Sequence, residues 1–436
     1  MLNSKKLCIV LALALVLVVV SIPVARFLNS SSLQGPYTHY TPYMPYIPAR
    51  PQAATIENGA TFEAMLFNAM PTNQNFMVSP FSLRMALAMA ANGATGTTQA
   101  EILTVLGIED LDEFNQRAAA TIASARNNMD AQLNIANSIW FNDDLFGDVE
   151  IGFSESYKNL VANYFAGEAQ SVGANVAAAL INNWVYEQTR GRIQDIVQEG
   201  IFEIEDSFEG TAAVLVNAIY FQGDWRSKFN PNSTRYDIFT CRIGVEHSIP
   251  IMQQTAFFDF YTNDYFKMMA MPYVDSDIRM YLVLPHVDEW LDFGMFVEAV
   301  DRMEPTNIRL RLPKFMTEST HDNLVEILQN MGMIEAFERW HTDFVGYNSM
   351  IYPTHVLGYP VHAWIGEVVQ KTFIEVDEAG TEAAAATAVI MQAISTSRED
   401  PSPIPIPFYC TRPFIYFIRN SATGDILFMG EFAFAQ

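Results

Sequence analysis

Cysteine is scarce in this chain of 436 residues, which contains three of them. Cys8 lies in an apolar N-terminal run, so only Cys241 and Cys410 remain for the folded part. Their separation fits neither a metal site nor a C-x-x-C pair. We expect two buried free thiols, with a single disulfide as the alternative, and a fold stabilised by its core rather than by cross-links.

Basic residues are also few. Lys and Arg total 25 against 49 Asp and Glu, which gives a formal net charge of −24. Such a balance repels phosphate backbones, and no basic stripe offsets it. The composition therefore argues against binding to nucleic acid or to heparin-like polyanions, and otherwise mainly indicates solubility.

Catalytic and metal-binding motifs are missing as well. The sequence has no G-x-S-x-G elbow, no H-E-x-x-H, no Walker loop and no G-x-G-x-x-G. Its seven His residues are scattered, and the pair His355 and His362 lies in a stretch without carboxylates. We therefore expect no enzyme activity, no cofactor and no metal site.

A long apolar run opens the chain. Residues 1–27 contain two lysines followed by an apolar run from Leu7 to Val20, which is typical of an export signal. Residues 7–25 also approach the length that spans a bilayer, so cleavage and retention as a membrane anchor both stay open. Both predict a secreted or extracytoplasmic protein, with residues 28–54, rich in Ser, Tyr and Pro, as an extended spacer.

Residues 55–436 are predicted to form one continuous folded domain with a sizeable core, because half of the chain is hydrophobic. Helix signals dominate its first half. Ser79 is a candidate N-cap, Pro80 stands at the first helical position, and the helix stops near Gly93. Apolar residues recur at helical spacing in residues 179–193.

Strand patterns dominate the second half of the chain and predict an α+β fold with mainly antiparallel sheets. The strongest runs are 213–221, 280–285, 414–418 and 426–432. The last two are separated by the residues SATG, which predict a β-hairpin.

One stretch, residues 376–408, combines features that do not belong together. A strand-like run is followed by small residues, mainly Ala, and then by four prolines that block both helix and central strand. Taken alone, the small residues favour a surface helix, because Ala has the lowest helix cost.

Six stretches in order resemble the serpin family, the large inhibitors of serine proteases, and the match covers roughly residues 55–436. The resemblance implies a serpin fold with an exposed reactive-centre loop at about 378–407. The matching stretches are NFMVSPFSLRMALAMAANGATGTTQAEI (75–102), NNWVYEQTRGRIQDIV (182–197), LVNAIYFQGDW (215–225), LPKFMTESTHDNLVEILQNMGM (312–333), VDEAGTEAAAATAV (376–389) and RPFIYFIRNSATGDILFMGEF (412–432).

The resemblance implies that the loop is bait for a protease and, once cleaved, inserts into the main sheet as a new strand. Small residues on alternate positions suit insertion, because alternate side chains share one face of a strand and large ones would overpack the core. Glycine gives the pivot backbone freedom. The hinge residues are then Glu378, Gly380, Thr381, Ala383, Ala385 and Thr387.

The family's spacing from Glu378 places the scissile bond at Ile394–Ser395. An aliphatic residue after Ala suits a shallow apolar pocket, so the expected partner is an elastase-like or subtilisin-like serine protease. Bonds after Met391 or Arg398 are alternatives, and a cysteine protease target stays open.

By similarity, the region that opens to admit the loop contains Ser79, Pro80, Ser82 and Asn217, with Trp225 near the point where insertion starts. Gln370 departs from the family, because many members carry a His at this position. Gln both donates and accepts hydrogen bonds, so we expect altered rather than lost gating.

Two functions remain in competition at this stage. The first is an inhibitory serpin that works as a monomer and a suicide substrate. The second is a non-inhibitory serpin that acts as a carrier or a chaperone-like binding protein. The stretch GTEAAAATA favours inhibition, because its one charged residue, Glu382, falls on an outward-facing position.

Overall fold

The computed structural model of the chain describes residues 61–127, 131–146, 151–202, 211–286, 291–339, 343–346, 349–352, 355–356, 359–381 and 404–435. The predicted export segment and spacer lie outside these ranges, as does most of the predicted reactive loop. Among the helices of the described ranges, none has the length and apolar character needed to cross a membrane.

Helices dominate the first half of the described chain, as predicted, and two short helices lie in its second half. The helix bounds are α1 (Phe62–Ala69), α2 (Pro80–Gly93), α3 (Gly96–Leu106), α4 (Leu111–Asn127), α5 (Glu155–Phe165), α6 (Ala174–Gln188), α7 (Phe293–Ala299) and α8 (Leu324–Asn330).

The boundaries of α2 match the prediction, whereas those of α6 do not. Ser79 caps α2, since its Oγ accepts a hydrogen bond from the Ser82 amide at 3.1 Å. Helix α6 starts before the predicted residue 179, because the preceding residues include several alanines with high helix propensity. It ends before residue 193, because Arg190 and Gly191 adopt positive φ angles.

In the described residues, strands form two large sheets and two short pairs. Their bounds are β1 (Phe76–Val78), β2 (Ala131–Asn142), β3 (Gly152–Phe153), β4 (Glu168–Val172), β5 (Ala213–Asp224), β6 (Arg235–Thr240), β7 (Glu246–Thr262), β8 (Phe266–Pro272), β9 (Ile278–Pro285), β10 (Glu304–Pro313), β11 (Phe315–His321), β12 (Ile351–Tyr352), β13 (His355–Val356), β14 (Tyr359–Pro360), β15 (Ile365–Val376), β16 (Gly380–Thr381), β17 (Ile406–Tyr409), β18 (Phe414–Asn420) and β19 (Ile426–Phe432).

The main sheet has the strand order β11-β15-β16-β5-β2-β4. The second sheet runs β1-β19-β18-β9-β8-β7-β10-β17, with β6 also paired to β7. Most pairings in the described residues are antiparallel, and the predicted hairpin is present as β18 and β19. The α+β class, mainly antiparallel, is confirmed.

The apolar core lies on both faces of the main sheet. Helix α2 is buried along nearly its whole length against β19, β5 and β2. On the opposite face, α6 buries Ile181, Trp184 and Val185 against the sheet. Each fully buried aliphatic side chain contributes roughly 1.5–3 kcal/mol. The two remaining cysteines, Cys241 and Cys410, are buried free thiols, which confirms that prediction.

Candidate sheet-insertion site

The hinge begins with a tight reversal of the chain after β15. Asp377 Oδ1 accepts hydrogen bonds from the amides of Ala379 at 2.8 Å and Gly380 at 3.1 Å. The Asp377 amide in turn donates to the Gly380 carbonyl at 3.0 Å. The carboxylate therefore holds the turn closed and directs the chain back toward the sheet that it has just left.

Strand β16 consists of two hinge residues that lie between β15 and β5. Thr381 pairs with Val376 of β15 and with Gly223 of β5, and Gly380 pairs with Asp224. Both hinge residues are buried. The strand is antiparallel to both neighbours, so the main sheet already holds the first residues of the predicted loop.

Glycine is required at position 380 because two backbones approach closely there. A Cβ atom would lie 2.8 Å from the Asp224 Cα and would also collide with the Gly223 carbonyl oxygen. The sequence predicts a glycine here for backbone freedom, but Gly380 is not among the described residues with positive φ. Its role is to leave space.

Three groups hold Glu378 at the base of the hinge. Lys314 Nζ lies 2.8 Å from Oε2, Thr234 Oγ1 donates to Oε1 at 2.7 Å, and the Phe229 amide donates to the Glu378 carbonyl at 2.9 Å. Burial raises the pKa of the carboxyl, but the bonds from Lys314 and Thr234 outweigh burial, so the pKa lies below its usual range. The carboxylate is therefore ionised at neutral pH and fixes where the loop leaves the fold.

Trp225 lies where insertion is predicted to start. Its indole Nε1 donates to the Asp377 carbonyl at 3.0 Å, and its amide donates to the Ala379 carbonyl at 2.9 Å. Its ring stacks on Tyr273, with 4.5 Å between ring centroids. Trp225 thus contacts the hinge through its side chain and its backbone.

Further along β15 and β5, a second group of buried polar residues links these two strands to the start of α2. We call it the opening network, and its residues are Ser79, Ser82, Asn217 and Gln370. Gln370 Oε1 accepts from the Ser79 amide at 2.8 Å, and its Nε2 donates to the Ser79 carbonyl at 3.0 Å and to Asn217 Oδ1 at 2.5 Å. Asn217 Nδ2 then donates to the carbonyl and hydroxyl oxygens of Ser82. Pro80 begins α2 beside this network.

The opening network bridges the two strands that would have to separate. Gln370 of β15 and Asn217 of β5 are paired partners in a parallel ladder. All four network residues have no exposed surface. Parting β15 from β5 therefore breaks the Gln370–Asn217 bond and leaves buried groups without partners, which is costly.

A histidine is present next to Gln370, in the neighbouring strand. His321 of β11 pairs with Gln370, and its Nε2 lies 2.8 Å from the Met77 carbonyl, which also accepts from Thr372 Oγ1. The matching motifs gave no indication of a role for this residue. Alternation in β11 was the available signal, because His321 falls on the buried face together with Thr317 and Ser319.

His321 predicts how stability depends on pH. Burial lowers its pKa, and the Met77 carbonyl and Asp322 only partly oppose this. The unfolded chain binds the proton below about pH 6.5, whereas the folded protein binds it only at lower pH. This contribution to stability is therefore complete above pH 6.5 and falls as pH drops below it, by at most about 1.4 kcal/mol per pH unit. Urea unfolding at pH 7.5, 6.5 and 5.5 should show this slope, and His321→Gln should remove much of it.

His247→Gln, on the β6–β7 hairpin, is the control for this measurement and should keep the slope. Equal slopes for wild type and His321→Gln would contradict the assignment of the pH dependence to His321.

The remaining predicted site residues lie outside the described ranges. These are the hinge residues Ala383, Ala385 and Thr387, the bond Ile394–Ser395, and the alternatives Met391 and Arg398. In the described part of the chain, no group of His, Cys, Asp and Glu side chains is arranged to hold a metal ion.

The fold and this geometry define a class of protein in which the chain turns back after β15 and enters the main sheet between two strands, above a buried polar network. The chain belongs to the family Serpin (serine protease inhibitor), whose family model matches residues 57–434.

Individual relatives support the same assignment. An uncharacterised serpin-like protein of Thermococcus kodakarensis is 34% identical, over 82% of this chain and 80% of the relative. Leukocyte elastase inhibitor of Xenopus tropicalis is 31% identical, over 82% and 93%. The crystal structure of the thermophilic serpin tengpin in the native state superposes with a TM-score of 0.73 at 27% identity, covering 87% of this chain and 94% of tengpin.

Proposed function

We propose that this chain inhibits a serine endopeptidase as a suicide substrate. The protease cleaves the reactive loop, the N-terminal part of the loop inserts between β15 and β5, and the protease stays attached as an acyl-enzyme. The observation that carries this proposal is β16, since Gly380 and Thr381 already occupy the space where the rest of the loop would follow.

The register of β16 defines where the following residues would go. Counting onward from Thr381 places residue 387 opposite Asn217 on one side and opposite Gln370 on the other. Asn217 and Gln370 are paired with each other before insertion, so the two counts agree. Both sides of the gap therefore support one register.

In this register the hinge residues complement the sheet. Ala383, Ala385 and Thr387 follow Thr381 at alternate positions and would share its buried face. Thr387 would reach the opening network with a hydroxyl group. It would offer a hydrogen bond to replace the Gln370–Asn217 bond that insertion breaks.

The energy of insertion is sufficient to damage a protease. An inserted strand replaces the single β15–β5 pairing by two pairings, one on each of its sides. About ten inserted residues therefore gain on the order of ten backbone hydrogen bonds, at ~0.5–1.5 kcal/mol each. Removing one oxyanion-hole donor costs a protease only about 3–4 kcal/mol. The uncleaved fold must then be kinetically held until the loop is cleaved.

The proposed target is an elastase-like or subtilisin-like protease that cleaves at Ile394–Ser395. The aliphatic Ile394 suits a shallow apolar pocket, and similarity to leukocyte elastase inhibitor supports this target class. Membership in a family described as serine protease inhibitors also supports a role as an inhibitor rather than as an enzyme.

The test is to mix the protein with an elastase-type and a subtilisin-type protease and to separate the products under denaturing conditions. We expect a denaturant-resistant complex and a released C-terminal fragment that begins at Ser395. A protease whose catalytic Ser is replaced by Ala is the control and should form no covalent complex. Fragments beginning at Gln392 or Glu399 would move the bond to Met391 or Arg398.

Two other outcomes would change the proposed function. Cleavage without any complex would favour a non-inhibitory carrier or chaperone-like protein. A stable complex with a cysteine protease alone would change the target class.

We also propose that the protein is exported as a monomer, either cleaved after its N-terminal segment or anchored through residues 7–25. N-terminal sequencing of the protein from its native cells distinguishes the two. A mature terminus after residue 27 supports cleavage, and an intact residue 1 in the membrane fraction supports the anchor.

A further inference from the structure

The entry point of the loop contains a tyrosine that the sequence analysis did not single out. Tyr273 follows β8, is fully buried, and its hydroxyl lies 2.7 Å from Thr381 Oγ1. Its ring stacks on Trp225 at 4.5 Å and meets the edge of Phe221 at 4.7 Å. Two aromatic neighbours therefore fix the ring, and the ring fixes Thr381.

The Asp377 turn and the close packing at Gly380 favour one register at the base of the hinge, and Thr381 is the next residue to enter the sheet. Thr381 lies opposite Gly223 of β5, which has no side chain to contact. Backbone hydrogen bonds recur along a strand, so they are also available after a slip. A slip by one residue turns every side chain to the opposite face, and a slip by two keeps the face but changes every partner.

The Tyr273 hydroxyl fixes the same register at Thr381, because Thr381 is the one residue between 379 and 383 that carries a hydroxyl group. A slip by one residue would bring Gly380 or Glu382 to this position, and a slip by two would bring Ala379 or Ala383. Each leaves a buried hydroxyl unpaired or forces a carboxylate against it, and both are costly.

We propose that Tyr273 is a positioning residue that sets the register in which the loop enters the main sheet. This inference rests on the proposed function, because register matters only if the loop inserts. By binding Thr381, the Tyr273 hydroxyl holds the first residues of the loop, Gly380 and Thr381, in the sheet. The following residues then enter in the register that brings position 387 to Asn217 and Gln370.

Hydrogen exchange tests the contact without any protease. In Tyr273→Phe, backbone amides of residues 221–225 and 377–381 should exchange at least about tenfold faster, because the hinge leaves the sheet more often. Thr381→Val should act in the same way, and Thr381→Ser should restore slow exchange. Tyr157→Phe is the matched control, since it removes a buried hydroxyl that donates to the Met89 carbonyl at 2.9 Å, away from the hinge. Unchanged exchange in Tyr273→Phe would overturn the proposal.

A second arm measures insertion itself. The loop is cut with a protease that is not trapped, and samples taken over time are assayed for gain of heat resistance. Tyr273→Phe should gain resistance several-fold more slowly than wild type and Tyr157→Phe, with Thr381→Ser close to wild type. Equal rates in Tyr273→Phe and wild type would overturn the positioning role.

The two arms also separate this inference from the proposed function. Wild-type protein that inserts its cut loop but traps no protease contradicts inhibition. The positioning role would still stand in that case, provided that Tyr273→Phe slows insertion.

Discussion

Thr381→Arg is expected to convert the protein from an inhibitor into a substrate. Thr381 has no exposed surface and lies between β15 and β5 against the Tyr273 hydroxyl. A guanidinium there would need to bury a charge without a partner and to overpack a closed site, each costing several kcal/mol or more. Insertion would stall, and the protease would complete hydrolysis before it is distorted. Titration should show the inhibitor needed per protease rising by about tenfold or more, since each 1.4 kcal/mol shifts the partition tenfold.

The matched control introduces the same arginine at the neighbouring position, 382. By strand alternation, Glu382 would face outward in the proposed inserted strand, so Glu382→Arg should keep most of the trapping. The ratio of covalent complex to cleaved inhibitor on a denaturing gel reports both variants. Full trapping by Thr381→Arg would contradict the insertion mechanism.

Gln370→Met is expected to produce the largest loss of stability among single changes in the opening network. The volume is nearly conserved, but the Ser79 amide and Asn217 Oδ1 lose their partners in a fully buried site. Two unsatisfied buried groups cost about 1–3 kcal/mol each, or roughly 2–6 kcal/mol together. The substitution also removes the side-chain bond between Gln370 of β15 and Asn217 of β5, so the two strands should part more readily. We expect a lower urea midpoint and faster loss of trapping during warm storage.

Two variants show whether the effect belongs to the network. Gln370→His restores a donor and an acceptor and should recover part of the stability. Asn115→Leu removes a buried amide pair with Asn92, between α4 and α2 and away from the parting strands. It should lower stability without accelerating the loss of trapping. If Asn115→Leu and Gln370→Met lose trapping equally fast, the network has no special gating role.

Local patterns predicted the parts of the fold that depend on local forces. Strand β19 matches its predicted bounds, because a β-rich run and the SATG turn define it without help from distant residues. Helix α2 follows from its Ser79 cap and from Pro80 in the same way. The predicted bounds of α6 were wrong at both ends, because the prediction rested on apolar periodicity alone. Periodicity shows neither the helix propensity of the alanines at its start nor the positive φ angles that follow its end.

The candidate site could be predicted only where a motif carried it. Resemblance identified Glu378, Thr381 and Trp225, and the structure brings all three together. It gave no sign of Tyr273, because this residue is 108 positions from Thr381 and the contact depends on how two sheets meet. The Thr234 contact with Glu378 spans 144 positions and was missed for the same reason.

Gln370 shows how such distant contacts change the interpretation of a single position. The sequence shows only that an expected His is replaced. The structure shows Gln370 bonded on both sides and His321 paired beside it in β11. The opening region therefore keeps its polar character, with Gln370 on β15 and the histidine, His321, on the neighbouring strand β11.

The measurement that tests the central claim most directly compares the thermal unfolding of intact protein with that of protein nicked within the loop. If the loop inserts as a new strand, the nicked form gains on the order of 10 kcal/mol. Its midpoint should then rise by at least about 10 °C for a domain of this size. An equal or lower midpoint in the nicked form would contradict the claim, because a cut loop that stays outside the main sheet adds no strand to it.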